Sequence, residues 1–341
     1  MAYDYYVSGA NDQITLCENR SAFGRIELFP RVMVDVSQID MRTSLFGVPL
    51  SVPFMIAPTA FQRMAHPDGE LATARAARAQ GVAMCVSTIA STTLEDVAAA
   101  APDVRWFQVY VYKDREITRR LVARAEAAGY QALALTVDTP KFGRRYADVR
   151  NGFHLPPGIT VANFADAGLE QLGTASGESG LAAYSASLFD PSLTWRDVEW
   201  LQSITALPVL VKGVMRPDDA QKAIDHGAKG IIVSNHGGRQ LDTVPATISV
   251  LPAIARVVSG RVPLLLDGGI RRGTDIVKAL ALGAQTVLVG RPVLWGLGVG
   301  GQAGVEKVLA ILREELELAM MLAGTPTLAD IDASLVQAAL T

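Results

Sequence analysis

In the stretch from Gly230 to Asp242, GIIVSNHGGRQLD, an apolar run of strand type stops at a serine, a histidine, two glycines and an arginine. Ile231, Ile232 and Val233 are β-branched and suit a buried strand. Ser234 and His236 lie two residues apart and so point the same way. Gly237 and Gly238 allow the backbone to turn sharply or to approach a ligand closely, and Arg239 returns a fixed cation to the same mouth. A histidine that can take a proton, beside a cation that can hold an anion, is the beginning of a catalytic pocket. A lone histidine is equally well explained as a hydrogen-bonded core residue, so the rest of the chain must decide.

The pattern of apolar runs ending in polar residues recurs at PFMIAPTA (53–60), VAMCVST (82–88), RWFQVYV (105–111), ALALTVD (132–138), PVLVKGV (208–214), GIIVSN (230–235), VPLLLDGG (262–269) and TVLVGRP (286–292). Their ends carry, in order, Pro58, Thr59 and Ala60; Ser87; Gln108 and Tyr110; Thr136 and Asp138; Lys212; Ser234 and His236; Asp267; and Gly290 with Arg291. Helix-period segments such as GELATARAARAQG and REITRRLVARAEAAG lie between them, most ending at a glycine suited to a helix C-terminus. Eight near-continuous apolar strands, each followed by a helix, predict a parallel sheet buried on both faces. The repeat count favours a closed (β/α)8 TIM barrel over an open doubly wound sheet. In such a barrel the chemistry sits at the C-terminal strand ends.

Residues 1–341 read as a single domain, with the barrel from about 53 to 324. An N-terminal extension carries the aromatic cluster Tyr3, Tyr5 and Tyr6, then VMVDVSQID and SLFGVPLSV, which are expected to form a hairpin. The long stretch 139–193 after the fourth strand, rich in Gly, Ala, Ser and Pro, is expected to be a lid or mobile loop. The segment AGVEKVLAILREELELAMMLAG is expected to close the outer ring of helices.

Half of the residues are hydrophobic and 19% are charged, enough for a large core. With 31 basic and 34 acidic residues the net charge of -3 gives no reason to expect nucleic acid as a partner. Cys17 and Cys85 fit neither a disulfide framework nor a zinc site, and no metal is expected. The start MAYDYYVSGANDQ lacks the features of a signal peptide, and the longest apolar region, Leu280 to Val299, is broken by Arg291, Pro292 and glycines. The expectation is a cytoplasmic protein with no membrane segment.

The last two βα turns narrow the chemistry. LLLDGGIRRGTDIVKAL sets Gly268, Gly269 and Arg271 between the seventh strand and its helix, and VLVGRP sets Gly290 and Arg291 after the eighth. Barrels bind phosphate at these two loops; the plainer reading makes the glycines turn residues only. Lys212, on a barrel strand, needs an anion or an electron-rich ring as partner. Ser87, Gln108, Thr136 and Ser234 offer hydrogen bonds at the same level, as a heterocycle across the mouth would require. Flavin mononucleotide (FMN) fits, with its phosphate over strands 7 and 8 and Lys212 near the ring edge where reduction builds negative charge.

The motifs YDYYVSGANDQ, MIAPTAFQRMAHPDGE, FQVYVYKDR, LTVDTPKFGRR, VKGV, SNHGGRQLD, DGGIRRGTDIVKALALGA and VLVGRP span residues 3–292. The chain resembles the FMN-dependent α-hydroxy acid oxidases and dehydrogenases, the family of glycolate oxidase and lactate oxidase. The resemblance implies His236 as base, Asp138 as the carboxylate that supports its imidazolium, and Tyr5, Tyr110, Arg145 and Arg239 as substrate ligands. It implies FMN contacts from Pro58, Thr59, Ala60, Ser87, Gln108, Thr136, Lys212, Ser234, Asp267, Gly269, Arg271, Gly290 and Arg291, with Gly268 in the same turn. The implied reaction oxidises an (S)-2-hydroxy acid to the 2-oxo acid, with oxygen as acceptor and hydrogen peroxide as second product. A quinone or cytochrome acceptor, or a flavin-binding protein impaired in catalysis, are the competing expectations. A homotetramer or homo-octamer is implied as well.

Three departures from the family pattern bear on these roles. Family members usually carry a further helix ahead of the YDYY segment, so Tyr5, close to the first residue, is expected to be poorly held. Many glycolate-preferring members have a tryptophan where this chain has Ile89, which points to lactate or a longer 2-hydroxy acid. The apolar insertion that ties some dehydrogenase members to membranes is missing after the fourth strand, which favours the oxygen-linked reading.

Overall fold

The computed structural model describes residues 1–102, 105–169 and 179–338. Eight parallel strands close into a barrel: β1 (Phe54–Ile56), β2 (Ala83–Ser87), β3 (Arg105–Val109), β4 (Ala132–Thr136), β5 (Val209–Val214), β6 (Gly230–Val233), β7 (Leu264–Leu266) and β8 (Thr286–Val289). Neighbours in sequence are neighbours in the sheet, and β8 pairs with β1. Around them run α1 (Gly69–Ala79), α2 (Leu94–Ala100), α3 (Arg115–Ala127), α4 (Arg196–Ser203), α5 (Pro217–Asp225), α6 (Thr247–Val258), α7 (Gly273–Ala281) and α8 (Arg291–Ala323). The expected (β/α)8 barrel is the observed fold. Its strands are shorter than the apolar runs because most of the polar residues at their ends leave the sheet to form the mouth.

Alternation along each strand sorts chemistry by height. Met55, Cys85, Trp106, Ala134, Leu210, Ile232, Leu265 and Leu288 belong to one interior cluster that fills the lower barrel. Two residues further along the same strands stand Ala57, Ser87, Gln108, Thr136, Lys212, Ser234, Asp267 and Gly290. Every strand therefore passes from apolar at the floor to polar or small at the mouth. Burial of one large aliphatic side chain contributes on the order of 2 kcal/mol, so the floor anchors the polar ring above it.

An antiparallel hairpin, Thr43–Leu45 with Val48–Leu50, plugs the floor and adds Leu45 and Leu50 to the interior cluster. Phe46 lies 5.7 Å from the Trp106 ring. This corrects the expected hairpin, which runs from Thr43 to Leu50, through SLFGVPLSV and the residue before it, without VMVDVSQID. Phe46 and Gly47 both take positive φ, 52° and 77°, as a tight two-residue turn requires, whereas Val32, Met33 and Val34 of VMVDVSQID are exposed outside any strand.

The stretch expected to be a lid is packed where it is described. It holds the helices Tyr146–Arg150 and Gly180–Leu188, and Phe153, Val161, Phe164, Leu181 and Phe189 are buried in the main core. These large apolar side chains tie it to the core of the barrel, as those of a free loop would not; residues 170–178 lie outside the described residues. The C-terminal segment closes the outer ring as expected. α8 bends at Gly300 and Gly301, the latter at φ 54°, and packs on α1 and α7. Among the described residues no helix is long and apolar enough to cross a membrane.

The N-terminal extension is fastened to the loop after β6. Asp242 accepts from the backbone N–H groups of Asp12 (3.1 Å), Ile14 (3.3 Å) and Thr15 (2.8 Å), capping the helix Ile14–Gly24. The amides of Asn19 and Asn235 exchange hydrogen bonds, each 2.8 Å long.

Candidate active site

A cavity of about 950 Å³ opens at the C-terminal strand ends. Pro58, Thr59, Ala60, Ser87, Gln108, Thr136, Lys212, Asp267, Gly268, Gly269, Arg271, Gly290 and Arg291 line it, as do Tyr5, Tyr110, Arg145, His236 and Arg239. Asp138 and Ser234, the remaining residues singled out from sequence, stand behind this wall and hold groups that do face the cavity.

Asp138 follows β4 and His236 follows β6, and they meet across β5. The Asp138 Oδ1 lies 2.9 Å from the His236 Nδ1. Gly213 makes the approach possible. It sits at φ 113° in a bulge of β5, and a Cβ there would come 2.8 Å from that of Asp138. His236 itself adopts φ 57°, a left-handed conformation uncommon for a side-chain-bearing residue. The Ser234 hydroxyl accepts from its backbone N–H at 3.1 Å and helps to hold it. Burial lowers the proton affinity of His236, and Lys212 adds to that, against the opposing pull of Asp138. Burial works against the Asp138 charge, but His236 and Lys212 outweigh it and keep the carboxyl below its usual range. The resting pair is therefore a carboxylate and a neutral imidazole whose Nδ1 is engaged, which leaves Nε2 for a ligand.

Lys212 is buried and finds the anion its position demands: its Nζ lies 3.1 Å from the Asp267 Oδ2 and donates to the Ser234 Oγ at 3.0 Å. Burial disfavours the ammonium, yet Asp267 and Asp138 more than offset this and hold it protonated. Beside it runs a row of neutral groups. The Gln108 Oε1 accepts from the Ser87 Oγ (3.4 Å) and the Thr88 N–H (3.2 Å), and its Nε2 donates to the Thr136 Oγ1 at 3.0 Å. Thr59 is braced by the Gln62 Nε2 at 2.9 Å.

Four guanidinium groups line the same cavity. Arg239 donates from Nη1 to the carbonyls of Tyr5 (2.5 Å) and Ser8 (2.9 Å) and lies 4.8 Å from the Tyr5 ring. Arg145 contacts Asp148 at 3.5 Å. Arg291 donates to the carbonyls of Tyr6 (2.9 Å), Gly237 (3.0 Å) and Ser8 (3.1 Å). Arg271 donates to the Ile270 carbonyl at 2.7 Å. Burial, followed by repulsion from Arg145, lowers the Arg239 group to about 10. Burial, followed by repulsion from Arg20, does the same for Arg271. A mouth crowded with buried cations is short of negative charge, the condition a phosphate and a carboxylate would relieve.

Tyr5 is 5% exposed and stacks on Phe153 at 4.5 Å, so the expectation of a poorly held residue is corrected. The aromatic packing and the Arg239 bonds to its backbone fix it. Burial holds the phenols of Tyr5 and Tyr110 above their usual range, which keeps both as neutral donors. Sequence reasoning did not single out Ala57, Phe142, Ile270, Leu288 or Leu294, all of which line the cavity. Ala57 and Leu288 lie on the inward face of their strands and were accessible through alternation; Phe142 lies in an aperiodic loop and was not. Of the other histidines, His226 pairs with Glu199 at 2.7 Å, and none of His66, His154 or His226 lines the cavity.

The donor set fits FMN. Ser87, Gln108, Thr136 and Lys212 offer hydrogen bonds for a ring, Arg271 and the turns at Gly268, Gly269 and Gly290 could receive a phosphate, and the Asp267 Oδ1 is buried without a partner among the described residues. A barrel mouth that joins such a cradle to a carboxylate–imidazole pair and an arginine-lined substrate side defines a class, the cofactor-dependent barrel oxidoreductases.

Comparison with known proteins specifies the class. Residues 1–338 match the family described as FMN-dependent dehydrogenase. Glycolate oxidase 3 of Oryza sativa subsp. indica is 58% identical over 331 residues, covering 97% of this chain and 90% of that protein. An L-lactate oxidase of Nostoc sp. strain PCC 7120 is 56% identical over 338 residues, covering 98% and 93%. A crystal structure of mandelate oxidase with (S)-4-hydroxymandelic acid superposes with a TM-score of 0.94 at 43% identity, over 100% of this chain and 95% of that one. A mandelate oxidase mutant solved with an FMN adduct superposes with a TM-score of 0.90 at 40% identity, over 100% and 96%. The chain belongs to the FMN-dependent dehydrogenase family. It is an oxidoreductase and its cofactor is FMN.

Proposed function

We infer that this chain is an FMN-dependent (S)-2-hydroxy acid oxidase, which converts lactate, glycolate or a longer analogue to the 2-oxo acid and reduces oxygen to hydrogen peroxide. The observation that carries the reading is the 2.9 Å Asp138–His236 pair beside Arg239 and Arg145 in one cavity. The oxidase names of the relatives favour oxygen as acceptor.

The roles follow from what each group can do. Arg239 and Arg145 hold the substrate carboxylate, which suits the planar, permanently charged guanidinium better than an ammonium. Tyr5, whose ring lies 4.8 Å from the Arg239 guanidinium and 5.9 Å from that of Arg145, hydrogen-bonds the same anion. Oxidation removes one hydrogen from the hydroxyl and one from the α-carbon. His236, neutral at rest, accepts a proton through Nε2, and Asp138 stabilises the imidazolium that results. The Tyr110 phenol hydrogen-bonds the substrate oxygen as it becomes a carbonyl. FMN, held by Ser87, Gln108, Thr136, Lys212 and Arg271, would supply the acceptor for the two electrons and the remaining hydrogen, and its reoxidation by oxygen would give the peroxide. Ile89 lines the cavity and leaves room beyond the α-carbon, which favours lactate or a longer acid.

Assembly as a homotetramer or homo-octamer in the cytoplasm completes the reading. Leu318, Met321 and Leu322 on α8 are exposed, as a subunit contact would need; light scattering tests the assembly and cell fractionation the location. The reaction is tested by measuring peroxide and 2-oxo acid together in air. One peroxide per 2-oxo acid supports oxygen as acceptor. 2-Oxo acid formed without peroxide, only when a quinone or cytochrome is added, overturns it.

A further inference from the structure

We infer that Asp148, which no sequence motif singled out, is a positioning residue whose carboxylate holds Arg145 against the catalytic cavity. The inference rests on the 2-hydroxy acid reading above, in which Arg145 grips the substrate carboxylate.

Arg145 immediately precedes the short helix Tyr146–Arg150, and Asp148 follows it by three residues on the same face. Both side chains are 4% exposed. The polar contacts of the guanidinium are long: Nη1 to the Asp148 Oδ2 at 3.5 Å and Nε to the Arg239 carbonyl at 3.5 Å. The guanidinium carbon stands over the Tyr5 ring at 5.9 Å and the Phe142 ring at 5.4 Å. Arg145 also has somewhere else to go. It lines both the catalytic cavity and a second cavity of about 630 Å³ beyond Phe142, which Asp148 shares.

Charge decides between the two places. Arg239 and Arg145 repel each other across the substrate side, and Asp148 acts on both; burial raises the Asp148 carboxyl, and the two guanidinium groups oppose that. The pair is buried, where solvent screens charge weakly, so a carboxylate acts on the guanidinium more strongly than a neutral acceptor would. Without the carboxylate, repulsion from Arg239 turns Arg145 toward the second cavity, and the two-arginine grip on the substrate is lost. Two further observations agree. The Asp148 Oδ1 is buried with no hydrogen-bond partner among the described residues, which leaves the Arg145 contact as the side-chain hydrogen bond of this carboxyl. Its backbone carbonyl accepts from the Phe153 N–H at 2.9 Å, and Phe153 is the ring stacked on Tyr5.

The test is a double-mutant cycle on the FMN-loaded enzyme with Asp148→Asn, Arg145→Met and the pair, after melting temperature and bound flavin have been recorded for each. The readouts are kcat, KM and the dissociation constant of oxalate, an unreactive dicarboxylate, followed through the flavin absorbance. Asp148→Asn is expected to raise KM and the oxalate constant about tenfold with a smaller change in kcat, and to change neither by more than about twofold when Arg145 is already Met. Asp148→Glu, which keeps the charge and is the variant read if Asp148→Asn does not hold flavin, is expected to recover oxalate binding to within about threefold of wild type. Equal effects in both Arg145 backgrounds, or an Asp148→Glu enzyme as weak for oxalate as Arg145→Met, would overturn the proposal. A wild-type enzyme whose flavin no 2-hydroxy acid reduces defeats the functional reading instead.

Discussion

His236 and Asp138, 98 residues apart in sequence, meet at 2.9 Å between Nδ1 and Oδ1 across the glycine bulge of β5. The contact fixes which imidazole nitrogen faces the cavity and places an anion where a positive charge would develop. Asp138→Asn keeps the shape and removes that anion. It is expected to lower kcat by about 10²–10⁴-fold with little change in KM, as the loss of a partner that acts on the transition state does. Stopped-flow measurement of flavin reduction checks this, and a loss confined to KM would contradict it.

The pH dependence follows from the direction of the histidine shift. Burial, reinforced by Lys212, lowers His236 despite Asp138. Only the neutral imidazole accepts a proton, so kcat/KM is lost as pH falls through this depressed value and is retained above it. The acid limb of the profile should therefore lie below the ordinary histidine value of about 6.5. A limb above that value would show that Asp138 outweighs burial.

Lys212→Met leaves Asp267 buried without its 3.1 Å cation. Breaking a buried pair by removing one partner costs about 3–5 kcal/mol, so a lower melting temperature is expected. The loss of the cation beside the cradle should also weaken FMN binding, measured by flavin release on dilution. Unchanged flavin affinity would remove Lys212 from the cofactor side.

Arg239→Lys removes the fork that joins the substrate side to the carbonyls of Tyr5 and Ser8. KM should rise about 10–100-fold, the equivalent of one lost charge-assisted hydrogen bond, and the N-terminal segment should exchange its amide protons faster. Steady-state kinetics and hydrogen exchange read the two effects.

Ile89→Trp fills the wall beyond the α-carbon. The ratio of kcat/KM for lactate to that for glycolate is expected to fall about tenfold or more, the scale set by small changes in pocket volume. An unchanged ratio would place the specificity wall elsewhere.

Much of this site was legible because a barrel strand ties sequence spacing to height. Cys85 and Ser87, or Leu210 and Lys212, differ by two residues and so share a face, one in the floor and the other at the mouth. Groups placed by non-local packing were less accessible. That Tyr5 is buried depends on Phe153, and that the donors of Arg291 are taken up by backbone carbonyls depends on where the N-terminal segment settles. Asp148 and Phe142 lie in a stretch with no periodicity to read. The misplaced hairpin has a similar cause. VMVDVSQID has strand composition, but the turn chemistry that closes a hairpin is at Phe46 and Gly47.

The most direct measurement of the central claim is anaerobic mixing of the FMN-loaded protein with glycolate, lactate, mandelate and longer (S)-2-hydroxy acids, alongside His236→Ala. The account predicts that the wild-type flavin bleaches, fastest with lactate or a longer acid, and that the variant bleaches at least about 10²-fold more slowly. A wild-type flavin that stays yellow with every 2-hydroxy acid, or a variant that bleaches at the wild-type rate, would contradict it.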